Sequence, residues 1–172
     1  AVYTTAADIL RDETVARLES AWRGLKLLAD QCASTAAAAI EVVDVSPGGV
    51  VDALATGLPD AEVDRPDFFV VVDPCDDLEV LRRLADAAEG ALAPVLVTVS
   101  PRLFGADDAA AIASRCEEDR GGLPEAWTEL RADEASRWLC AVANRVATAT
   151  EGLGPARRTS FSSPSLAVAA ML

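Results

Sequence analysis

Two stretches that leave no face for water constrain this chain most. Phe68-Phe69-Val70-Val71-Val72-Asp73 and Val95-Leu96-Val97-Thr98-Val99 are almost continuously apolar. Such runs suit strands covered on both sides, as in parallel sheets. Between them, Asp76 or Asp77 opens a helical pattern whose stripe is Leu78, Leu81, Leu84, Ala85, Ala88 and Leu92, and Pro94 introduces the second run. Strand, helix and strand in this order predict a right-handed crossover.

The alternation extends in both directions. Residues 40–45, Ile-Glu-Val-Val-Asp-Val, predict a further strand. Ser46-Pro47 then reads as the cap and first residue of a helix through Val50, Val51, Leu54 and Ala55, ending at Gly57. Beyond Val99 the pattern predicts a helix over about 106–116, a charged loop over 117–124, and a long helix over 134–150. Ala135, Trp138, Leu139, Val142, Val146 and Ala149 would share one face of that last helix. The expected fold is α/β: a three-layer α-β-α domain with a small, mainly parallel sheet and helices on both faces. It would occupy residues 1–151, followed by a Gly-, Pro-, Arg- and Ser-rich loop at 152–163. A wholly apolar helix at 164–172, opened by Ser163-Pro164, would pack into the core or continue in a longer chain.

Near the front, Leu18-Glu19-Ser20-Ala21-Trp22-Arg23-Gly24-Leu25-Lys26-Leu27-Leu28 lies in an amphipathic helix whose face is Val15, Leu18, Trp22, Leu25 and Ala29. Gly24 costs such a helix roughly 1 kcal/mol relative to alanine. Close approach by another backbone, with Trp22 buried beside it, would account for the glycine.

Leu18-Glu19-x-x-Trp22-Arg23-Gly24-Leu25 resembles the front signature of the large subunit of the type VI secretion contractile sheath, the TssC/VipB family. Residues 77–105, DLEVLRRLADAAEGALAPVLVTVSPRLFG, are similar to that family's helix, its Ala-Pro strand at Pro94 and its Pro101-x-x-Phe104-Gly105 turn. Trp127-x-x-Leu130-Arg131 and Ser136-Arg137-Trp138-Leu139 resemble its Trp-x-x-Leu-Arg and Ser-Arg-Tyr-Leu pattern. The resemblance runs over most of residues 14–145. It implies a non-enzymatic structural component that pairs with a small sheath subunit or other sheath and tube components and stacks into a contractile tube. Family members are much longer, so the resemblance implies either a fragment of a divergent subunit or a short relative. Asp64-Arg65-Pro66-Asp67 stands where the family has Gly-Gly-x-Pro-Tyr, and Ala143-Asn144-Arg145 where it has Pro-Arg.

Composition narrows the alternatives. A net charge of −13 argues against nucleic acid, which calls for clustered cations, and against anionic membrane surfaces. It is compatible with a basic protein partner or simply with solubility, and assembly as a homo-oligomer stays open. No stretch is long enough to span a bilayer and no basic-then-apolar leader opens the sequence, so a cytoplasmic protein without membrane insertion is expected. Cys32, Cys75, Cys116 and Cys140 stand far apart and there is no histidine, which predicts reduced thiols and no metal or other cofactor.

The strongest catalytic arrangement would use acids at strand ends: Asp44 after the first strand, and Asp73, Asp76 and Asp77 after the second. Ligands of open parallel sheets bind there, and converging carboxylates could hold Mg²⁺ in a phosphoryl-transfer or receiver-like domain. Asp76 and Asp77 also suit a helix start, where they cap free N–H groups. A ligand-binding regulatory α/β domain is a further alternative. Histidine-based nucleophilic catalysis is excluded, and neither Pro47-Gly48-Gly49 nor Gly121-Gly122 extends to a phosphate-binding loop. Trp22 and Trp138 are expected in the core, and Arg23 and Arg131 are expected to clamp carboxylates within the chain.

Overall fold

The computed structural model describes residues 2–32, 38–46, 48–56, 65–117, 122–153 and 156–172. In chain order the elements begin with α1 (Val2–Arg11), α2 (Glu13–Cys32) and α3 (Val50–Thr56). Next come β1 (Phe69–Cys75), α4 (Leu78–Ala91), β2 (Val95–Val99), α5 (Ala109–Glu117) and α6 (Glu125–Ala132). The last are β3 (Leu139–Val142), β4 (Val146–Leu153), β5 (Ala156–Ser162) and α7 (Pro164–Ala169). The protein is mixed α/β, and the chain divides into two compact units: Ala1–Ile40 with Arg145–Leu172, and Glu41–Asn144.

In the second unit, β1, β2 and β3 form a parallel sheet in that order. Phe69, Val71, Val95, Val97, Leu139 and Ala141 lie on one face by register. That face meets Val51 and Leu54 of α3, Leu81, Leu84 and Ala88 of α4, Phe104 and Leu130 in one hydrophobic core. β2 is buried at all five positions, as an uninterrupted apolar run in a central strand should be. Asp77 starts α4 by accepting a hydrogen bond from the Glu79 N–H at 2.8 Å. At the other end, Leu92 adopts a left-handed conformation (φ 54°), with the Leu92 and Ala93 N–H groups bonded to the Glu89 and Ala88 carbonyls. This reversal turns Leu92 outward, 62% exposed, rather than into the predicted stripe. Leu92→Gly should therefore stabilise the protein by about 1 kcal/mol in denaturant unfolding, because glycine removes the left-handed penalty at an exposed position.

Four expectations change. Residues 40–45 form no strand; they are exposed, and the third strand of the sheet is β3 instead. The helix following them begins at Val50 rather than at the Ser46 cap, with Pro47 and Gly57 outside the described residues. The long helix over 134–150 is replaced by a 3-10 turn (Glu134–Trp138), β3 and the start of β4. β-Branched Val142, Val146, Thr148 and Thr150 favour extended backbone, and parallel pairing of Leu139 with Val95 outweighs a helical spacing that the same residues also satisfy. The loop expected at 152–163 is largely β4 and β5, an antiparallel pair matching Glu151 with Arg158 and Val146 with Ser162.

The first unit therefore joins both ends of the sequence. α2 packs against α7 and β5, and α1 against α2. Leu28, Leu166, Ala167 and Ala169 are buried there, but α7 ends at Ala169, short of the expected 172, and Met171 and Leu172 are exposed.

Candidate functional site

The front motif splits into two sets of residues with opposite surroundings. The face of α2 that packs is Ala16, Ser20, Gly24 and Leu28, one position per turn. A Cβ at Gly24 would lie 2.5 Å from Ser162 Oγ, 2.8 Å from Leu166 Cδ1 and 3.0 Å from Leu166 Cβ. The close approach expected at this glycine is present, made by side chains of β5 and α7 rather than by backbone.

Glu19 and Arg23 flank that contact. Arg158 on β5 meets both carboxylate oxygens of Glu19, Nη1 donating to Oε1 at 2.8 Å and Nη2 to Oε2, and also donates to the Leu10 carbonyl at 3.2 Å. Arg23 Nε donates to Glu19 Oε1 at 2.9 Å, and its Nη2 to Glu151 Oε1 on β4 at 2.6 Å. The hydrogen bond from Arg158, reinforced by Arg23 and opposed by partial burial, holds the Glu19 carboxyl at about 2. The same partners raise both guanidinium groups above their ordinary value. Arg23 thus clamps carboxylates as expected. Arg158 lies in the stretch expected to form a loop, where the adjacent Arg157-Arg158 pair is its sequence signal.

Leu18 and Trp22 do the reverse. They stand one turn apart on α2 and are 59% and 63% exposed, so Trp22 does not fill the core. The predicted apolar face is real as a pattern, but the small-residue face packs in its place, because Gly24 and Ser20 let β5 and α7 approach closely. Val15 and Leu25 border the exposed pair and are half-buried.

In the second unit the other motifs meet one another. Phe104 is buried and packs edge-to-face on Trp127 with ring centroids 4.8 Å apart. Pro101 and Gly105 shape the turn between them: Ser100 caps it, Gly105 takes φ 64°, and Arg115 of α5 donates to the Phe104 and Gly105 carbonyls at 2.7 and 2.8 Å. Arg115 is a tether that the motifs did not mark. Trp127, Leu130, Arg131, Ser136, Arg137 and Leu139 line a groove of about 530 Å³, with Asp133, Glu134 and Ala141. Ser136 donates to the Leu130 carbonyl, and Asp133 accepts from the Ala135 N–H at 3.2 Å. Arg137 donates to Glu89 and Glu134 at 3.0 and 3.1 Å and lies 5.8 Å from the centroid of the half-buried Trp138 ring. Arg131 is exposed and, contrary to expectation, makes no ion pair among the described residues.

Asp44 lies in an exposed segment outside regular structure, Asp73 within β1, Asp76 is exposed between β1 and α4, and Asp77 is engaged as a helix cap. Among the described residues, no three His, Cys, Asp or Glu side chains are grouped to hold a metal ion. No described helix is long and apolar enough to cross a membrane. No protein-family model matches the chain, and no curated protein matches it.

Proposed function

We propose that this chain is a non-enzymatic assembly component related to the large subunit of the type VI secretion contractile sheath, acting through protein contacts in the cytoplasm. One observation carries this reading. Within a single eleven-residue motif, Glu19, Arg23 and Gly24 hold the first unit together, while Leu18 and Trp22 present apolar surface to solvent. Folding accounts for the first three and leaves the other two without an internal role. Tryptophan beside an aliphatic residue, exposed on a helix held rigidly from behind, has the character of a binding hot spot. The partner is the small sheath subunit or another sheath or tube component, and no cofactor takes part. Motion in such an assembly would come from two alternative packings of the subunits rather than from chemistry. The same reading gives the second unit helices on both faces of its sheet, which the complete burial of β2 supports.

The test is capture of the full protein from its native cells, with partners identified by mass. Wild type is expected to recover a sheath or tube component, and Leu18→Ser/Trp22→Ser to lose it while unfolding within about 0.5 kcal/mol of wild type. Equal recovery by the folded variant would remove the helix surface from the account.

A further inference from the structure

Buried polarity is concentrated in one place among the described residues. Of the five buried polar residues, four (Ser160, Ser162, Ser163 and Ser165) lie where β5 runs into α7, and only Thr98 lies elsewhere. Arg158, Ser160 and Ser162 alternate along β5 and so share one face of it. That face is turned to α2, because Arg158 bonds Glu19 and Ser162 Oγ lies against Gly24. Ser160 sits on the strand between these two contacts. Its Oγ is closed off from solvent and makes no hydrogen bond among the described residues.

A buried hydroxyl without a partner carries the full cost of its desolvation, and it regains water when the contact around it opens. Ser162 Oγ donates to the adjacent Ser163 carbonyl at 3.0 Å, and Ser163 Oγ lies 2.9 Å from Ser165 Oγ. Both bonds are local to the β5–α7 junction and survive its separation from α2. Opposite, α2 contributes Ala16, Ser20 and Gly24, so the seam buries little apolar area. Leu28 and Leu166 are the only buried leucines of this unit among the described residues, against Leu54, Leu81, Leu84, Leu96 and Leu130 in the other. The ion pairs of Glu19, Arg158, Arg23 and Glu151 that border the seam are partly exposed, so water can replace them.

We propose that this serine seam is a release joint: α2 separates from β5 and α7 in one cooperative step while the sheet of β1, β2 and β3 stays folded. The cooperativity follows from the parts. β4 and β5 form a two-stranded sheet, which does not stand alone in water, and α7 has six residues, too few for an isolated helix. Both depend on the cover that α2 provides, so its release frees them together. Openings below the free energy of global unfolding are drawn from segments with few buried apolar contacts. The joint gives α2, which carries Leu18 and Trp22, a held and a released state. It is argued from the inner face of α2 alone, so its failure leaves the function proposed above standing.

The experiment is amide exchange of the full chain, followed by mass spectrometry over a series of urea concentrations below global unfolding. Amides of α2, β4, β5 and α7 are expected to exchange through one shared opening, about a hundredfold or more faster than those of β1, β2 and α4. Ser160→Ala removes the unpaired hydroxyl and should slow that opening about tenfold, leaving β2 unchanged. Glu19→Gln should speed it about tenfold in the same segments. Exchange of α2, β5 and α7 only at the rate of β2 would overturn the proposal, as would separate openings with unrelated urea dependence. So would faster or unchanged exchange in Ser160→Ala, because the hydroxyl would then be satisfied, as by an internal water.

Discussion

Gly24→Leu is expected to unfold the first unit or to cost it more than about 3 kcal/mol. Any Cβ at this position arrives within 2.5 Å of Ser162 Oγ and 2.8 Å of Leu166 Cδ1. Neither neighbour can retreat easily. Ser162 is 2% exposed and Leu166 4%, and Ser162 Oγ donates to the Ser163 carbonyl at 3.0 Å. Alanine adds only the Cβ, and its helix propensity returns about 1 kcal/mol. Overpacking of this kind typically costs about 1–3 kcal/mol, so Gly24→Ala should be destabilising by a smaller margin. Leucine adds three further carbons with no space to receive them. Urea unfolding with amide exchange resolved along the chain checks both variants: protection should fall in α2, β5 and α7. A Gly24→Leu protein as stable as wild type would mean that the helix and hairpin do not approach as described.

The second large effect is expected at Glu19. Its carboxylate accepts from Arg158 twice and from Arg23 once, with its side chain 19% exposed. Glu19→Gln removes the charge that both guanidinium groups face and should cost about 1–3 kcal/mol at neutral pH. The pH dependence provides the sharper signature. Because the carboxyl is held at about 2 rather than near 4.5, its contribution is complete above the ordinary value and disappears as pH falls through the lower one. Wild type should therefore lose its advantage over Glu19→Gln between about pH 4.5 and pH 2. The shift alone would suggest about 3 kcal/mol. Glu151, which completes the network, has a side chain 49% exposed, so screening brings the expected difference nearer 1–2 kcal/mol. Parallel unfolding curves for the two proteins across that window would contradict the network.

What could be read from the sequence follows the range of the forces involved. β1, α4 and β2 were legible to within a few residues because each announces itself locally, through continuous apolar runs and the Asp77 cap. Gly24 was legible as a close-packing point because a poor helix former in a helix needs a reason. Residues 134–150 were not legible, since a 3.6-residue stripe and a β-branched strand can be written with the same side chains. Pairing with Val95, more than forty positions away, decided between them. The hairpin was lost for a related reason: Gly152 and the two arginines looked like a linker until Arg158 found Glu19 at the other end of the chain. Trp22 was misplaced because hydrophobic periodicity identifies an apolar face without saying what covers it. The packed face of α2 is instead built of small residues, which such a pattern ranks low.

The most direct measurement is titration of the purified chain with the purified small sheath subunit from the same genome, followed by tryptophan emission and calorimetry. The account predicts saturable binding of defined stoichiometry, a shift in emission as Trp22 leaves water, and loss of both signals in Leu18→Ser/Trp22→Ser. No binding by the folded wild-type chain, or binding that the double variant retains in full, would contradict it.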